Sequence, residues 1–201
     1  MTTDLARGHA TATIYEASKL DIALDSGIRP AWVGARVSGP AFTVQGAGGD
    51  NLALHNAVAS APPGHVLVAD LGGALHGHWG EVLAIAAQQR GLLGLVIDGG
   101  VRDTVELARV GFSVFSRGIS IIGTRKDYSG GMGVPITIGG IEVRTGDLVV
   151  ADADGVVAIP QEQIGRVLDS SDARVADETR IFDELRAGKT TLELYGLGAD
   201  R

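Results

Sequence analysis

The chain has 201 residues, a formal net charge of −7 at pH 7, 30 glycines and no cysteine. That length suits one domain with a sizeable core, and the missing thiols exclude disulfide staples, zinc–thiolate sites and cysteine nucleophiles. No basic cluster exceeds Thr124-Arg125-Lys126, so nucleic-acid binding is not expected; no apolar stretch of about eighteen residues offers a membrane span, the first residues lack the apolar core of a secretion signal, and a soluble cytoplasmic protein is expected.

The glycines punctuate apolar runs, which argues for a turn-rich α/β protein and against a disordered linker. Residues 12–24 read as a helix stopped by the Asp25-Ser26-Gly27 turn. Residues 36–44 alternate and are β-branched, and Gly39-Pro40 within them suits an edge or a bend. Asp50-Asn51 caps a helix running to about Ser60, on whose apolar face His55 reads as a packing residue. After the Pro62-Pro63-Gly64 turn, residues 65–70 form a strand apolar enough for burial on both faces. Residues 71–79 read as a glycine-rich loop. His76 and His78 stand two apart in it, but no third zinc ligand has useful spacing, so both read as substrate-facing or solvated.

A helix then runs from Gly80 to about Arg90, with Gly91 as its stop signal. Residues 95–97 form a buried strand, 103–110 a short helix ended by Gly111, and 112–115 another strand. This strand–helix alternation favours parallel pairing. After residue 120, short strands at 134–138, 141–143, 147–151 and 155–159 follow antiparallel meander grammar. Pro160 ends them, and residues 161–186 form a polar helix with a thin stripe at Ile164, Val167, Leu168, Val175, Phe182 and Leu185. So thin a stripe covers the body or a neighbouring subunit. The expected organisation is a single domain over 1–201 with a helical extension from about 161.

The chemistry concentrates at Gly80-Glu81-Val82-Leu83 and at Arg102-Asp103, nineteen residues on. Both follow buried strands, at the rim where open α/β sheets place ligands. The helix start at Gly80 offers unpaired N–H groups to an anion. Arg102 offers a planar fork to a carboxylate or enolate, and Asp103 a ligand for a hydrated divalent cation. Together they suit a small α-keto acid on a metal. An isolated Arg-Asp pair is ordinarily a helix cap beside a solvated arginine, so the second rim element changes the reading. Glu81 either complements the helix dipole or orients Arg102 or a metal-bound water. Glu106 is an i,i+4 partner for Arg102, and Asp98 supports the Gly99-Gly100 turn. The three lysines, Lys19, Lys126 and Lys189, avoid the apolar runs that suit Schiff-base chemistry. Carbon–carbon bond chemistry would then require a metal as electron sink. Gly188-Lys189-Thr190 mimics the tail of a P-loop, but Asp183 stands where that motif needs glycine.

At these residues the chain resembles the RraA-like family, which includes class II 4-hydroxy-4-methyl-2-oxoglutarate/4-carboxy-4-hydroxy-2-oxoadipate aldolases. The resemblance covers most of the sequence, including Gly49-Asp50-Asn51, the run from Val96 to Asp103, and Gly146 to Asp152. Its specific part is the twenty-residue spacing between Glu81 and Arg102-Asp103. The resemblance implies a layered αββα-type α/β body assembled as a homotrimer or a hexamer. It also implies that backbone amides from Gly80 through Glu81 and Val82 to Leu83 hold a substrate carboxylate, that Arg102 contacts the keto-acid oxygen, and that Asp103 ligates Mg²⁺ or Mn²⁺ largely through water. Family aldolases often have Asp where this chain has Glu81. The expected activity is a divalent-metal-dependent lyase with Arg102, Asp103 and Glu81 as catalytic residues. It would cleave 4-hydroxy-2-oxo acids to pyruvate through a metal-stabilised enolate, with oxaloacetate decarboxylation as a side activity. The family also contains non-catalytic inhibitors of a ribonuclease, the alternative reading. In such members the metal-binding acid can be replaced, so the intact Asp103 favours catalysis.

Overall fold

The computed structural model describes residues 5–197; residues 1–4, read above for their lack of an apolar signal, lie outside them. In chain order the elements are α1 (Thr11–Ser18), β1 (Arg29–Pro30), β2 (Val37–Gln45), α2 (Leu52–Ser60), β3 (Val66–Trp79), α3 (Glu81–Gln89), β4 (Gly94–Val101), α4 (Thr104–Val110) and β5 (Ser113–Ile119). There follow β6 (Gly131–Met132), β7 (Ile136–Ile138), β8 (Ile141–Val143), β9 (Leu148–Ala151), β10 (Val156–Ile159), a 3₁₀ turn at Gln161–Gln163, α5 (Ile164–Arg186) and α6 (Thr191–Leu194).

Strands β2 to β5 lie parallel and adjacent in chain order, as the strand–helix alternation predicts. Period-2 alternation then sorts their side chains between two cores. Leu67, Ile97 and Val114 pack with Leu54 of α2, Leu83 of α3 and Leu107 of α4, so all three crossover helices cover one face. Val66, Val68, Val96 and Phe115 turn to the other face, against Val149, Ala151, Val156 and Ala158 of the β9–β10 hairpin and Ile136 and Ile138 of β7. The outer face of that hairpin, with Leu148, Val150, Val157 and Ile159, meets Ile14 of α1 and Val167 and Leu168 of α5. The layers are therefore helix, sheet, sheet, helix, the expected αββα order. Full burial of each large side chain stabilises by about 1.5–3 kcal/mol relative to exposure.

One continuous sheet in the order β1-β5-β4-β3-β2-β9-β10 wraps both sheet layers. The changeover falls within β2, where residues 37–40 pair with β9 and residues 41–45 pair with β3. Pro40, which has no N–H for a ladder, sits at that transition; Gly39-Pro40 is a bend and not an edge.

Two expectations need correction. The first helix ends at Ser18, with Lys19 in the left-handed region (φ 56°), not at residue 24. The Ser18 hydroxyl donates to the Tyr15 carbonyl (2.8 Å) and accepts the Leu20 N–H (3.1 Å), a local alternative to continuing the helix. Residues 71–79 are the second half of β3, not a loop. Gly72 and Gly73 take positive φ (64° and 73°), and the pairing with β4 slips twice, at Asp70/Ala74 and at Ala74/Trp79. Glycine thus lets the strand bulge and continue. The short elements β1, β6 and α6 carry no sequence signal strong enough to predict them. On α5, Val167 and Leu168 cover the body while Val175 and Phe182 are exposed. Among the described residues no helix is long and apolar enough to cross a membrane.

Candidate active site

Parallel pairing of β3 with β4 places Trp79 beside Val101, so two strand-to-helix turns emerge at one edge. The Arg102 N–H donates to the Trp79 carbonyl (2.8 Å) and ties them together. Asp103 precedes α4 with φ 57° and ψ 41°, a left-handed conformation that costs an L-residue about 1–2 kcal/mol and that Asp tolerates better than most. Its carboxylate therefore makes no cap on α4; Oδ2 instead accepts the Glu81 N–H at 3.0 Å, at the N-terminus of α3. Asp103 caps the neighbouring helix. Gly80 makes the approach possible, because a Cβ there would lie 2.2 Å from Asp103 Oδ2 and 3.2 Å from Arg102 Cγ. A Cβ on Gly77 would lie 2.9 Å from Arg102 Cδ, so both glycines floor the arginine stem. Arg102 Nε stands 3.7 Å from Asp103 Oδ2, a loose ion pair that leaves the fork available.

A cavity of about 200 Å³ opens at this point, lined by Asn51, His55, Gly77, His78, Gly80, Val82, Leu83, Arg102, Asp103 and Lys126. That is smaller than the roughly 300–1,000 Å³ of drug-sized pockets and suits a small acid. Three wider clefts lie elsewhere, one of about 590 Å³ beside β2, one of about 680 Å³ among α1, α5 and α6, and one of about 530 Å³ along the end of α5. None sets a helix N-terminus beside an acid and a guanidinium, and in the second Arg174 is already paired with Glu16 and Glu178. The smaller cavity is the one where these groups meet.

Of the residues singled out from sequence, Gly80, Val82, Leu83, Arg102 and Asp103 converge on this cavity. The amides from Gly80 to Leu83 are not all free, since the Glu81 N–H is taken by Asp103; those of Val82 and Leu83, in the first turn, have no intrahelical acceptor. The Glu81 side chain turns to α4, where Arg109 Nη2 donates to its Oε1 at 2.7 Å. It therefore does not orient Arg102. No ion pair joins Glu106 to Arg102 either. Asp98 projects to the opposite sheet face, where Arg117 Nε and Nη2 donate to its two oxygens (2.6 and 3.0 Å) and Nη1 reaches Asp25 (2.7 Å). These contacts, with Asp98 dominant, hold the Arg117 pKa above its ordinary value, with burial opposing.

Asn51, His55 and Lys126 line the cavity without having been marked as site residues from sequence. Asp50 explains the arrival of Lys126. Its carboxylate accepts the N–H groups of Leu52 (2.9 Å) and Asp127 (2.7 Å), clamping the 125–128 loop to the start of α2. Burial alone would raise the Asp50 pKa, but these donors and the Tyr128 N–H hold it low. The histidine pair also differs from expectation. His78 is fully buried, accepting the Gly49 N–H at Nε2 (3.0 Å) with Nδ1 3.2 Å from the Gly100 carbonyl. His76, a ring-to-ring neighbour at 5.6 Å, is partly buried. It is not a merely solvated group; among the described residues no three His, Asp or Glu side chains cluster to hold a metal.

Burial, and secondarily His76, lowers the His78 pKa; burial, then Lys126, lowers that of His55. An unfolded histidine titrates near about 6.5. Between the lowered folded values and that point, the unfolded chain binds more protons, so stability falls as pH drops through the window. We expect the thermal midpoint to decline from about pH 7 to about pH 5.5, before carboxylates titrate. A flat midpoint across that range, followed by circular dichroism, would contradict the assignment.

The family model described as RraA-like, Aldolase/RraA, matches residues 11–158, so α5 and α6 lie beyond it. A protein of Halalkalibacterium halodurans, provisionally named as a 4-hydroxy-4-methyl-2-oxoglutarate aldolase, is 39% identical over 175 residues, covering 85% of this chain and 83% of the relative. The crystal structure of an uncharacterized protein from Pseudomonas syringae superposes with a TM-score of 0.85 at 31% identity, covering 93% of this chain and 89% of that one. The RNA-processing inhibitor RraA of a Thermus species gives a TM-score of 0.70 at 28% identity, over 76% of this chain and 93% of its own. With three-quarters of its length matched by the family model and its two rim turns interlocked as described, the chain belongs to the RraA-like family.

Proposed function

We propose that the protein is a class II, divalent-metal-dependent lyase. It cleaves 4-hydroxy-2-oxo acids of the 4-hydroxy-4-methyl-2-oxoglutarate type to pyruvate, and decarboxylates oxaloacetate as a side reaction. The observation that carries this reading is the convergence of Arg102, Asp103 and the α3 N-terminus on one small cavity. The provisional name of the 39% identical relative supports it.

Asp103 suits a hydrated ion such as Mg²⁺ or Mn²⁺. Its Oδ2 is held by the Glu81 amide, while Oδ1 makes no hydrogen bond among the described residues. One carboxylate plus water and substrate oxygens is an ordinary Mg²⁺ environment. Bound there, the cation would supply Lewis-acid polarisation of the substrate oxygens. The amides of Val82 and Leu83, at the positive end of α3, hold the substrate carboxylate. Arg102 faces the keto oxygen and stabilises the charge that builds there as the bond to C4 breaks. Lys126 adds positive charge at the mouth but is solvent-exposed, without the apolar burial of a Schiff-base lysine.

A coupled assay for pyruvate, on 4-hydroxy-4-methyl-2-oxoglutarate and on oxaloacetate, tests the reading. The expected signal requires Mg²⁺ or Mn²⁺, is abolished by EDTA and is unchanged for enzyme treated beforehand with pyruvate and borohydride and then freed of both. Absence of a metal-dependent signal on either substrate would favour the alternative, a non-catalytic regulator that binds a ribonuclease. Glu81→Gln separates an acid–base role from a packing one. Its partner Arg109 is largely exposed, so losing this pair changes stability by no more than about 1 kcal/mol. Pyruvate release is expected to stay within about tenfold of wild type, against the roughly 10²–10⁴-fold effect of a general acid or base. A deeper loss would return Glu81 to the chemistry.

We further propose a homotrimer or hexamer. Leu75 of β3, Ile119 of β5 with Ile121 and Ile122 after it, and Val82, Ile85 and Val105 of α3 and α4 are exposed, and Val82 lines the cavity itself. Apolar groups so placed fit a neighbouring copy that seals the cavity from water. Light scattering that returned a monomer mass at assay concentration would remove this proposal.

A further inference from the structure

The pairing of β3 with β4 is interrupted between Ala74 and Trp79, beside the catalytic rim. The register shifts there, and the backbones approach so closely that a Cβ on Gly100 would lie 2.7 Å from the His76 carbonyl. The His78 ring sits at this irregularity. Its Nδ1 lies 3.2 Å from the Gly100 carbonyl, and its Nε2 accepts the Gly49 N–H at 3.0 Å. A neutral imidazole has one donor and one acceptor, so these two partners select the Nδ1–H tautomer. The His78 main chain adds a third tie, since its carbonyl accepts Asn51 Nδ2 at 3.0 Å.

These partners belong to the separate walls of one cavity. Gly49 precedes Asp50 and Asn51 at the start of α2, and Gly100 lies two residues before Arg102. His78 itself is two residues before Gly80, on the third wall. Resting on the lyase reading above, we propose that His78 is a positioning residue, which locks the wall carrying Asn51 to the rim carrying Arg102 and Asp103. Its ring lines the cavity, but both ring nitrogens are engaged with main-chain groups. It sets the separation of the groups on those walls, and displacement of such groups by about 1 Å can cost about 10²-fold in rate.

Three variants test this. His78→Phe keeps a buried apolar ring and removes both side-chain bonds. We expect kcat for pyruvate release to fall by about 10–10²-fold with KM changed less than about threefold. His78→Gln retains one donor and one acceptor and is expected to recover most of that loss. Val157→Ala, in the distant α1–α5 core, destabilises without touching the cavity, and its kcat is expected to match wild type. Two measurements do not depend on turnover. Nitrogen-15 NMR should show His78 protonated at Nδ1 only, and hydrogen exchange should show the Gly49 amide protected in wild type and released in His78→Phe. An Nε2–H tautomer, an unchanged Gly49 amide, or a folded His78→Phe with wild-type kcat would each overturn the proposal. Should His78→Phe not fold, His78→Leu carries the same comparison, and the wild-type tautomer still decides the tie. Wild-type protein without pyruvate release would sink the lyase reading instead, while the NMR and exchange results would still report whether His78 joins the walls.

Discussion

Asp103→Asn is expected to abolish at least about 99% of pyruvate release while leaving the melting temperature nearly unchanged. Asparagine tolerates the left-handed backbone of position 103 almost as well as aspartate. Its carbonyl oxygen can still accept the Glu81 N–H, so the cross-cap survives. What disappears is the negative charge that would hold a divalent cation. Asp103→Ala and Arg102→Ala should lose about 10²–10³-fold or more in turnover as well. The alanine at 103 should in addition cost about 1–2 kcal/mol, from the lost cap and the poorer fit to positive φ. Both side chains are substantially exposed at the rim, so neither variant opens the core. Circular dichroism melts beside the coupled assay separate the two effects. Near-normal turnover in any of the three folded variants would refute the site.

The second large effect comes from a residue with no side chain. Gly80 has φ −161°, an extended conformation open to any residue, so alanine there meets no backbone penalty. Its methyl group would nevertheless lie 2.2 Å from Asp103 Oδ2. The flexible carboxylate can rotate away, but only by abandoning the Glu81 amide. Gly80→Ala should therefore fold, with a loss of about 1–3 kcal/mol from overpacking. Pyruvate release should fall about 10²-fold, because the acid and the arginine stem are both displaced. Titration with Mg²⁺ should show weakened affinity in parallel. Wild-type turnover in Gly80→Ala would mean that the contact between the two turns does not matter for the reaction.

The rim was legible in the sequence for a local reason. A helix start after a buried strand is written in a few consecutive residues, at Gly80-Glu81 and again at Arg102-Asp103, although Gly99-Gly100, expected as a turn, lie inside β4. Parallel pairing of neighbouring strands then brings such starts together. Local grammar could not reveal which helix Asp103 would cap, because that depends on a positive φ at one residue. Nor could it show that Glu81 would find Arg109, a partner 28 residues away on the next helix. Lys126 arrives beside His55 of α2 through the clamp that Asp50 makes on a distant loop. The course of β3 was obscured for the opposite reason. Gly72, Gly73 and Gly77 resemble loop composition, yet they serve a strand that bulges and lies close against its neighbour.

Because Asp103 caps α3 and not α4, neither turn can be finished without the other. The amide hydrogen of Glu81 is thus a sentinel built into the protein. Its exchange with solvent follows the seating of an acid 22 positions away, and a cation drawn to that acid should alter its protection before any chemistry begins.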